Sequence, residues 1–275
     1  MRAAVEQLGL PARIAREAGA ALAARALRRA RREARSLEDH LDLAYSFDWH
    51  GLEIEPRQVR SEIEAFLRLV AERRPRRVLE IGTAFGGTLY LLAQAAADDA
   101  VLVSVDLPRG AFGGGYPPWR RRLYRAFAAR GQRVVLVEGD SHAPETAQRV
   151  RDALGPAPLD VLLVDGDHRY AGVEADLALY APLVHERGLI ALHDIVPRGA
   201  FAGDPRVDPG DVPQVWRDAT RRRAGLELVE SWAQGGYGIG VLPCGWSPGE
   251  LERPGRDPGA RGASPAITAP APRGR

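Results

Sequence analysis

Two runs of four apolar residues, Val161-Leu-Leu-Val164 and Leu189-Ile-Ala-Leu192, each give way at once to acidic or imidazole groups. Asp165-Gly-Asp167-His168 follows the first and His193-Asp194 the second. An uninterrupted apolar run has no polar face to turn toward water. Both runs therefore suit parallel strands covered on two sides, with the polar cluster emerging at the carboxyl edge. In an open α/β sheet that edge is where ligands bind. Two neighbouring strand ends of this kind can hold one metal ion between them.

The rest of the middle of the chain alternates in the same way. Strand patterns fall at Arg77–Ile81, Val101–Val105, Val134–Val137, Leu226–Glu230 and Tyr237–Leu242. Helical patterns occupy the intervals, at about Arg57–Arg73 (after Pro56), Leu89–Ala97, Pro118–Arg130, Pro144–Leu154, Gly172–Val184 and Val212–Arg223. Such alternation predicts an α/β fold, a doubly wound, mostly parallel seven-stranded sheet. Only Ser231–Gly236 joins the last two strands, too few residues for a helical crossover, so the last strand should run antiparallel.

Around this middle, residues 1–50 form an Arg/Ala-rich extension, residues 51–246 the main domain, and residues 247–275 a Pro/Gly-rich tail expected to be disordered. The extension is expected to be an exposed helix, because Leu8, Ile14, Leu22 and Leu27 are only loosely periodic. Its arginines leave two further uses open, an arm for an acidic partner or membrane surface and an organellar presequence. The chain has no lysine, and its net charge of +2 comes from arginines scattered along it without an aromatic-interleaved basic motif. No nucleic-acid partner is expected. One cysteine, Cys244, excludes an internal disulfide and a cysteine-built metal site. With no apolar run near the roughly 20 residues that span a bilayer, a soluble cytoplasmic protein is expected. The N-terminal helix is a candidate dimer element.

After the first strand comes Glu80-Ile-Gly82-Thr83-Ala-Phe-Gly86-Gly-Thr88. Glycines here allow a tight turn and close backbone approach to a ligand at a helix start. Ala84 stands where a dinucleotide fingerprint needs its second glycine, so NAD is not expected. The second strand ends at Asp106, whose carboxylate can accept both hydroxyls of a ribose, and the third in Glu138-Gly-Asp140-Ser141, suited to an adenine edge. Singly, each acid could be a helix cap or turn former; three at successive strand ends point to a ligand.

Together, Glu80-x-Gly82-x-x-x-Gly86-x-Thr88, Asp106, Gly139-Asp140-Ser141 and Asp165 resemble class I S-adenosylmethionine-dependent methyltransferases, in the branch that includes catechol-type O-methyltransferases. Asp165-Gly-Asp-His168-x-Tyr170-x-Gly172 and Leu192-His193-Asp194 are similar to a bacterial subgroup labelled methyltransferase and cephalosporin hydroxylase, which includes macrolide-sugar O-methyltransferases. The resemblance covers roughly residues 50 to 243. It implies that Glu80 and Gly82 line the methionine part of S-adenosylmethionine, with Thr83, Gly86, Thr88 and Asp165 also binding the cofactor. Asp106 would hold the ribose, and Asp140 with Ser141 would approach the adenine. It also implies metal ligands at Asp165 and Asp194.

Methyl transfer from a sulfonium needs alignment and exclusion of water, and a hydroxyl acceptor must also lose a proton. A divalent ion binding the acceptor oxygen serves both needs. Mg is the expected ion, since two carboxylates and waters suffice for it. If His193 ligates, Mn, Fe or Zn is favoured; alternatively His193 lies behind the ligands in a hydrogen-bonded layer. His168 stands where catechol-type enzymes present a lysine, and as a histidine it can accept a proton near neutrality. It is the expected catalytic base, unless it only positions its loop. Of the other histidines, only His142 sits at a strand end, as a loop residue with a weak claim on substrate.

Three segments could cover the acceptor: Arg109–Arg120 with its three consecutive glycines, the aspartate-rich stretch Phe201–Val212, and Tyr45–Trp49. The acceptor is expected to be a hydroxyl on a sugar or secondary metabolite. Two alternatives stay open, a metal-independent N- or carboxyl-methyltransferase and a non-catalytic protein of the same fold that uses its basic arm for recruitment.

Overall fold

The protein was analysed as a computed structural model, in which residues 10–109, 114–199 and 207–251 are described. Helices α1 (Leu10–Glu33) and α2 (Leu37–Ser46) lead into a two-residue hairpin, β1 (Asp48–Trp49) and β2 (Leu52–Glu53), and then α3 (Arg60–Arg73). The alternating body follows: β3 (Arg77–Ile81), α4 (Gly87–Ala95), β4 (Val101–Asp106), α5 (Pro118–Tyr124), β5 (Arg133–Glu138), α6 (Pro144–Leu154), β6 (Leu159–Val164), α7 (Tyr170–Tyr180), β7 (Val184–His193), α8 (Val212–Ala219), β8 (Leu226–Leu228) and β9 (Ile239–Val241).

Seven strands form one sheet in the order β5-β4-β3-β6-β7-β9-β8. The pairs from β5 through β7 are parallel, and β9 enters antiparallel between β7 and β8. This is the expected sheet, with the last strand reversed. After β5 the chain crosses back over β3 to lay down β6, so the strand order switches direction at β3. A crevice opens at the carboxyl ends on either side of such a switch point.

The two apolar runs that opened the sequence reading are buried on both faces. Val161 and Leu163 join the core beneath α1 to α5, whereas Leu162 and Val164 join the core beneath α6, α7 and α8. Burying each such side chain stabilises the fold by about 1.5–3 kcal/mol, which forces both strands into the middle of the sheet.

The N-terminal helix departs from expectation. Ala20, Ala23, Ala24 and Leu27 of α1 are fully buried, and α1 packs along α5. Their spacing of three, one and three residues marks one helical face, but it is drawn in alanines. Small side chains let helices approach closely while adding little to a hydrophobic pattern. Leu22, one of the periodic leucines, is 55% exposed. Arg25, Arg28, Arg29 and Arg32 are exposed on the outer face of a helix whose inner face belongs to the core.

Helix α3 begins at Arg60 rather than beside Pro56, so residues 56–59 lie outside it, with a bend at Arg57 and Gln58 and an extended Val59. α5 ends at Tyr124, short of Arg130. No helix among the described residues is long and apolar enough to cross a membrane. Residues 110–113 of the glycine-rich cover, 201–206 of the aspartate-rich cover and 252–275 of the tail lie outside the described residues.

Candidate active site

The strand ends that the sequence singles out flank β3 at the carboxyl edge of the sheet. Gly82 follows β3 with φ of 88°, and a Cβ there would meet the carbonyl oxygen of Asp165 at 1.9 Å. Only glycine permits both the left-handed backbone and this approach of the β3 and β6 ends. One turn further on, a Cβ at Gly87 would lie 2.1 Å from the carbonyl of Ile54. The lead-in to α3 is thereby pressed against the glycine turn.

That contact delivers Gln58, a residue the sequence reading passed over. Its amide nitrogen donates to Asp165 Oδ2 at 2.9 Å and its carbonyl oxygen accepts from the Thr88 hydroxyl at 2.7 Å. Gln58 is 7% exposed. A sequence signal exists in hindsight: a polar amide in an uncapped segment just after a proline, where the helix has not yet begun.

Asp165, His168, His193 and Asp194 come together at the ends of β6 and β7. One ligand atom each from Asp165, His168 and Asp194 lies within 4.8 Å of the others, a grouping able to hold a metal ion. His168 Nε2 is 3.8 Å from Asp165 Oδ1 and 3.6 Å from Asp194 Oδ2. Its other nitrogen, Nδ1, is 2.5 Å from the carbonyl of Asp208, which fixes Nδ1 as the donor. His193 Nδ1 lies 3.1 Å from Asp165 Oδ1 and 3.4 Å from Asp194 Oδ2, while its buried Nε2 has no hydrogen-bond partner. His168 thus joins the two carboxylates in the grouping, and His193 packs behind them.

Asp194 adopts φ of 66°, rare for a residue with a side chain, and its Oδ1 accepts the Tyr237 backbone N–H at 2.8 Å. That bond ties β7 to the segment entering β9 and helps offset the local strain. Charge shapes the cluster further. Burial disfavours the charged form of Asp165, yet the neighbouring His193 and His168 hold its pKa below the usual carboxylate range. Burial works against protonation of His168 too, but Asp165 and Asp194 raise its pKa to about 9. His193 is raised well above its ordinary value against the same burial cost, chiefly by the charges of Asp165 and Asp194.

On the other side of β3, Glu80 is fully buried. Its Oε2 accepts from Ser104 at 2.6 Å and its Oε1 has no partner, an orphan acceptor that a cationic group could satisfy. Burial pushes its pKa up to about 8. Thr83 turns its hydroxyl into the core, where it bonds Ser104 and Tyr116, whereas Thr88 reaches the cluster through Gln58. Gly86 caps α4 in the left-handed conformation. Asp106 ends β4 and accepts the Gly115 N–H at 2.9 Å; burial raises its pKa to about 6 against the pull of backbone N–H groups. Tyr116 donates its own N–H to Glu138 at 2.9 Å, so two successive backbone donors cover the ends of β4 and β5. Asp140 and Ser141 follow β5, with Asp140 accepting the His142 N–H at 2.9 Å. Tyr45 donates to the carbonyl of Gln58 at 2.8 Å and so braces the lead-in segment.

Residues 79–195 match the family Methyltransf_24, described as a methyltransferase domain. Among solved structures, the O-methyltransferase from Bacillus cereus in complex with SAH is similar, with a TM-score of 0.50 and 17% identity over 76% of this chain and 92% of that one. The O-methyltransferase TomG from Streptomyces achromogenes, involved in tomaymycin synthesis, gives a TM-score of 0.48 and 20% identity over 76% and 90% of the two chains. An uncharacterised protein of Sinorhizobium fredii is 29% identical over 177 residues, which is 63% of this chain and only 18% of that protein. Residues 79–195 therefore resemble a methyltransferase domain, and the sheet shares the fold of the Bacillus cereus structure.

Proposed function

We propose that the protein transfers the methyl group of S-adenosylmethionine to a hydroxyl of a small molecule, a sugar or secondary metabolite, with help from a divalent metal. The observation that carries this reading is the placement of two half-sites at one edge of the sheet, around the switch point at β3. Orphaned Glu80 and strand-end Asp106 lie on one side, and the Asp165–His168–Asp194 cluster on the other. Each half suits one substrate.

The donor set fits both absent groups. Glu80 Oε1 is an unpaired acceptor for the ammonium of the cofactor's methionine part, and Asp106 can take the ribose hydroxyls in place of the Gly115 N–H. Asp165 and Asp194 fit a divalent ion such as Mg or Mn, whose remaining positions waters can fill, and His168 Nε2 beside them can act as the base. S-Adenosylmethionine supplies an electrophilic methyl group, and a divalent ion would polarise the acceptor oxygen.

The chain's own residues do the rest. Asp165 and Asp194 would hold the ion at the ends of β6 and β7, and Gln58 keeps Asp165 in its orientation. His168, anchored through Nδ1 on the Asp208 carbonyl, presents Nε2 to the same point. Were an ion to engage both carboxylates, the charges that keep a proton on Nε2 would be compensated, which would leave Nε2 able to accept the hydroxyl proton. His193 braces the two carboxylates from behind.

One observation supports a second reading, a metal-independent methyltransferase. His193 Nδ1 already sits between the two carboxylates and can neutralise them without an ion. The test is release of S-adenosylhomocysteine across a panel of hydroxylated metabolites, before and after dialysis against EDTA and after adding back Mg or Mn. Activity unchanged by chelation removes the metal from the mechanism. Failure of S-adenosylmethionine to bind in calorimetry ends both readings.

A further inference from the structure

Helix α7 buries Val173, Leu177 and Tyr180 against the sheet, and Asp176 shares that face with no exposure at all. An aspartate placed among apolar side chains is costly unless something compensates it. Neither of its carboxylate oxygens has a hydrogen-bond partner among the described residues. The group against it is His142, whose Nε2 lies 3.4 Å from Asp176 Oδ1, at ion-pair distance and likewise without a hydrogen bond.

His142 belongs to the loop after β5, the loop that carries Asp140 and Ser141. α7 holds this loop a second time, for the Tyr180 hydroxyl donates to the Ser141 carbonyl at 2.6 Å. The charged groups around the ring are almost all acidic. Asp140 lies 3.5 Å from Nδ1, Asp176 faces Nε2, and Asp167 approaches from the loop after β6, itself paired with Arg169. Chiefly through Asp176, they raise the pKa of His142 against the opposing effect of burial.

We infer that His142 and Asp176 form an ion pair that clamps the cofactor-side loop to α7, making His142 a positioning residue for the adenosyl half of the ligand. The inference rests on the methyltransferase reading for the identity of that ligand. The same helix starts two residues after His168, so the clamp also fixes the cofactor loop relative to the proposed base. The clamp is present while His142 carries its proton. It is lost as the pH rises through the raised pKa, that is, above the ordinary histidine value of 6.5.

The experiment is calorimetric binding of S-adenosylhomocysteine to the full chain from about pH 6 to about pH 9.5, beside NMR titration of the His142 ring. Wild type should lose affinity on the order of tenfold across the alkaline limb, a change of about one pKa unit's worth of coupling. Asp176→Asn and His142→Gln should bind more weakly at low pH and lack that limb, and in Asp176→Asn the ring should titrate near 6.5. His142→Arg keeps the cation and should hold the low-pH affinity through the whole range. If Asp176→Asn does not fold, the two His142 variants decide alone. Identical pH profiles in wild type and His142→Gln, or an unshifted His142 in wild type, would overturn the clamp. No binding by wild type at any pH, with His142 still titrating high, would instead refute the methyltransferase reading, and the positioning role would go with it.

Discussion

Removing the Gln58 side chain tests how far the site depends on a residue with no chemical step of its own. Gln58→Ala deletes two hydrogen bonds, one to the carboxylate of Asp165 at 2.9 Å and one from Thr88 at 2.7 Å. A hydrogen bond to a charged group contributes about 1.5–3 kcal/mol and a neutral one about 1 kcal/mol. The sum, about 2.5–4 kcal/mol, should appear as lost stability in urea denaturation. Activity should fall further than folding alone explains. Asp165 would lose the donor that orients it, and losses behind a metal-binding carboxylate typically cost 10–100-fold. Gln58→Glu separates chemistry from volume, because it fills the same space but its ionised oxygen cannot donate to Asp165. The expected result is a variant as poor as Gln58→Ala near neutrality. It should recover as the pH is lowered, where two facing carboxylates come to share one proton. Wild-type turnover in Gln58→Glu at neutral pH, or less than a twofold loss in Gln58→Ala, would refute the idea that orientation of Asp165 passes through this amide.

Further outcomes follow from other parts of the structure. Glu80 has a folded pKa of about 8 against an ordinary 4.5, so the folded state holds a proton that the unfolded state has released between those values. Its contribution to stability is full below about pH 4.5 and is lost as the pH rises through about 8; Glu80→Gln should flatten that part of the profile, and an unchanged slope in denaturation between about pH 5 and pH 8 would count against it. Glu62, 2% exposed, accepts from the backbone of Glu230 and Gly238 and from the Gln234 side chain. Glu62→Ala should cost about 3–5 kcal/mol by stranding these donors, as read from the shift in denaturation midpoint. Asp194→Asn should weaken Mn binding, followed by calorimetry, by at least the order of tenfold; retained affinity would place the ion elsewhere. Ala24→Glu, which drives a charge into the α1 face, should lower the melting temperature by several degrees, and a neutral result would mean that α1 contributes nothing to the core.

That last variant bears on the N-terminal arm. Deleting residues 1–36 would test recruitment poorly, because it removes the buried alanine face of α1 and uncovers the part of α5 on which α1 packs. Point changes on the outer arginines are the usable test.

The sequence by itself determined the sheet. Four-residue apolar runs can be satisfied only by strands covered on two faces, and helical patterns in the gaps enforce parallel crossovers. The one gap too short for a helix enforces the reversed β9. It also determined which strand ends carry Asp106, Asp165, His168, His193 and Asp194, because local order along a chain survives folding. Tertiary structure decided what local order cannot carry: which side chains meet. Gln58 and Asp165 stand 107 residues apart and meet only because the start of α3 slips to Arg60 and Gly87 admits the lead-in segment. His142 and Asp176 look unremarkable in their own segments and become an ion pair only when α7 lies against the β5 loop. The division between His168, in the ligand grouping, and His193, behind it, follows from the twist of two neighbouring strand ends and the left-handed turn at Asp194. Burial against water is written in composition and periodicity; pairwise geometry between distant residues is settled only when the elements pack.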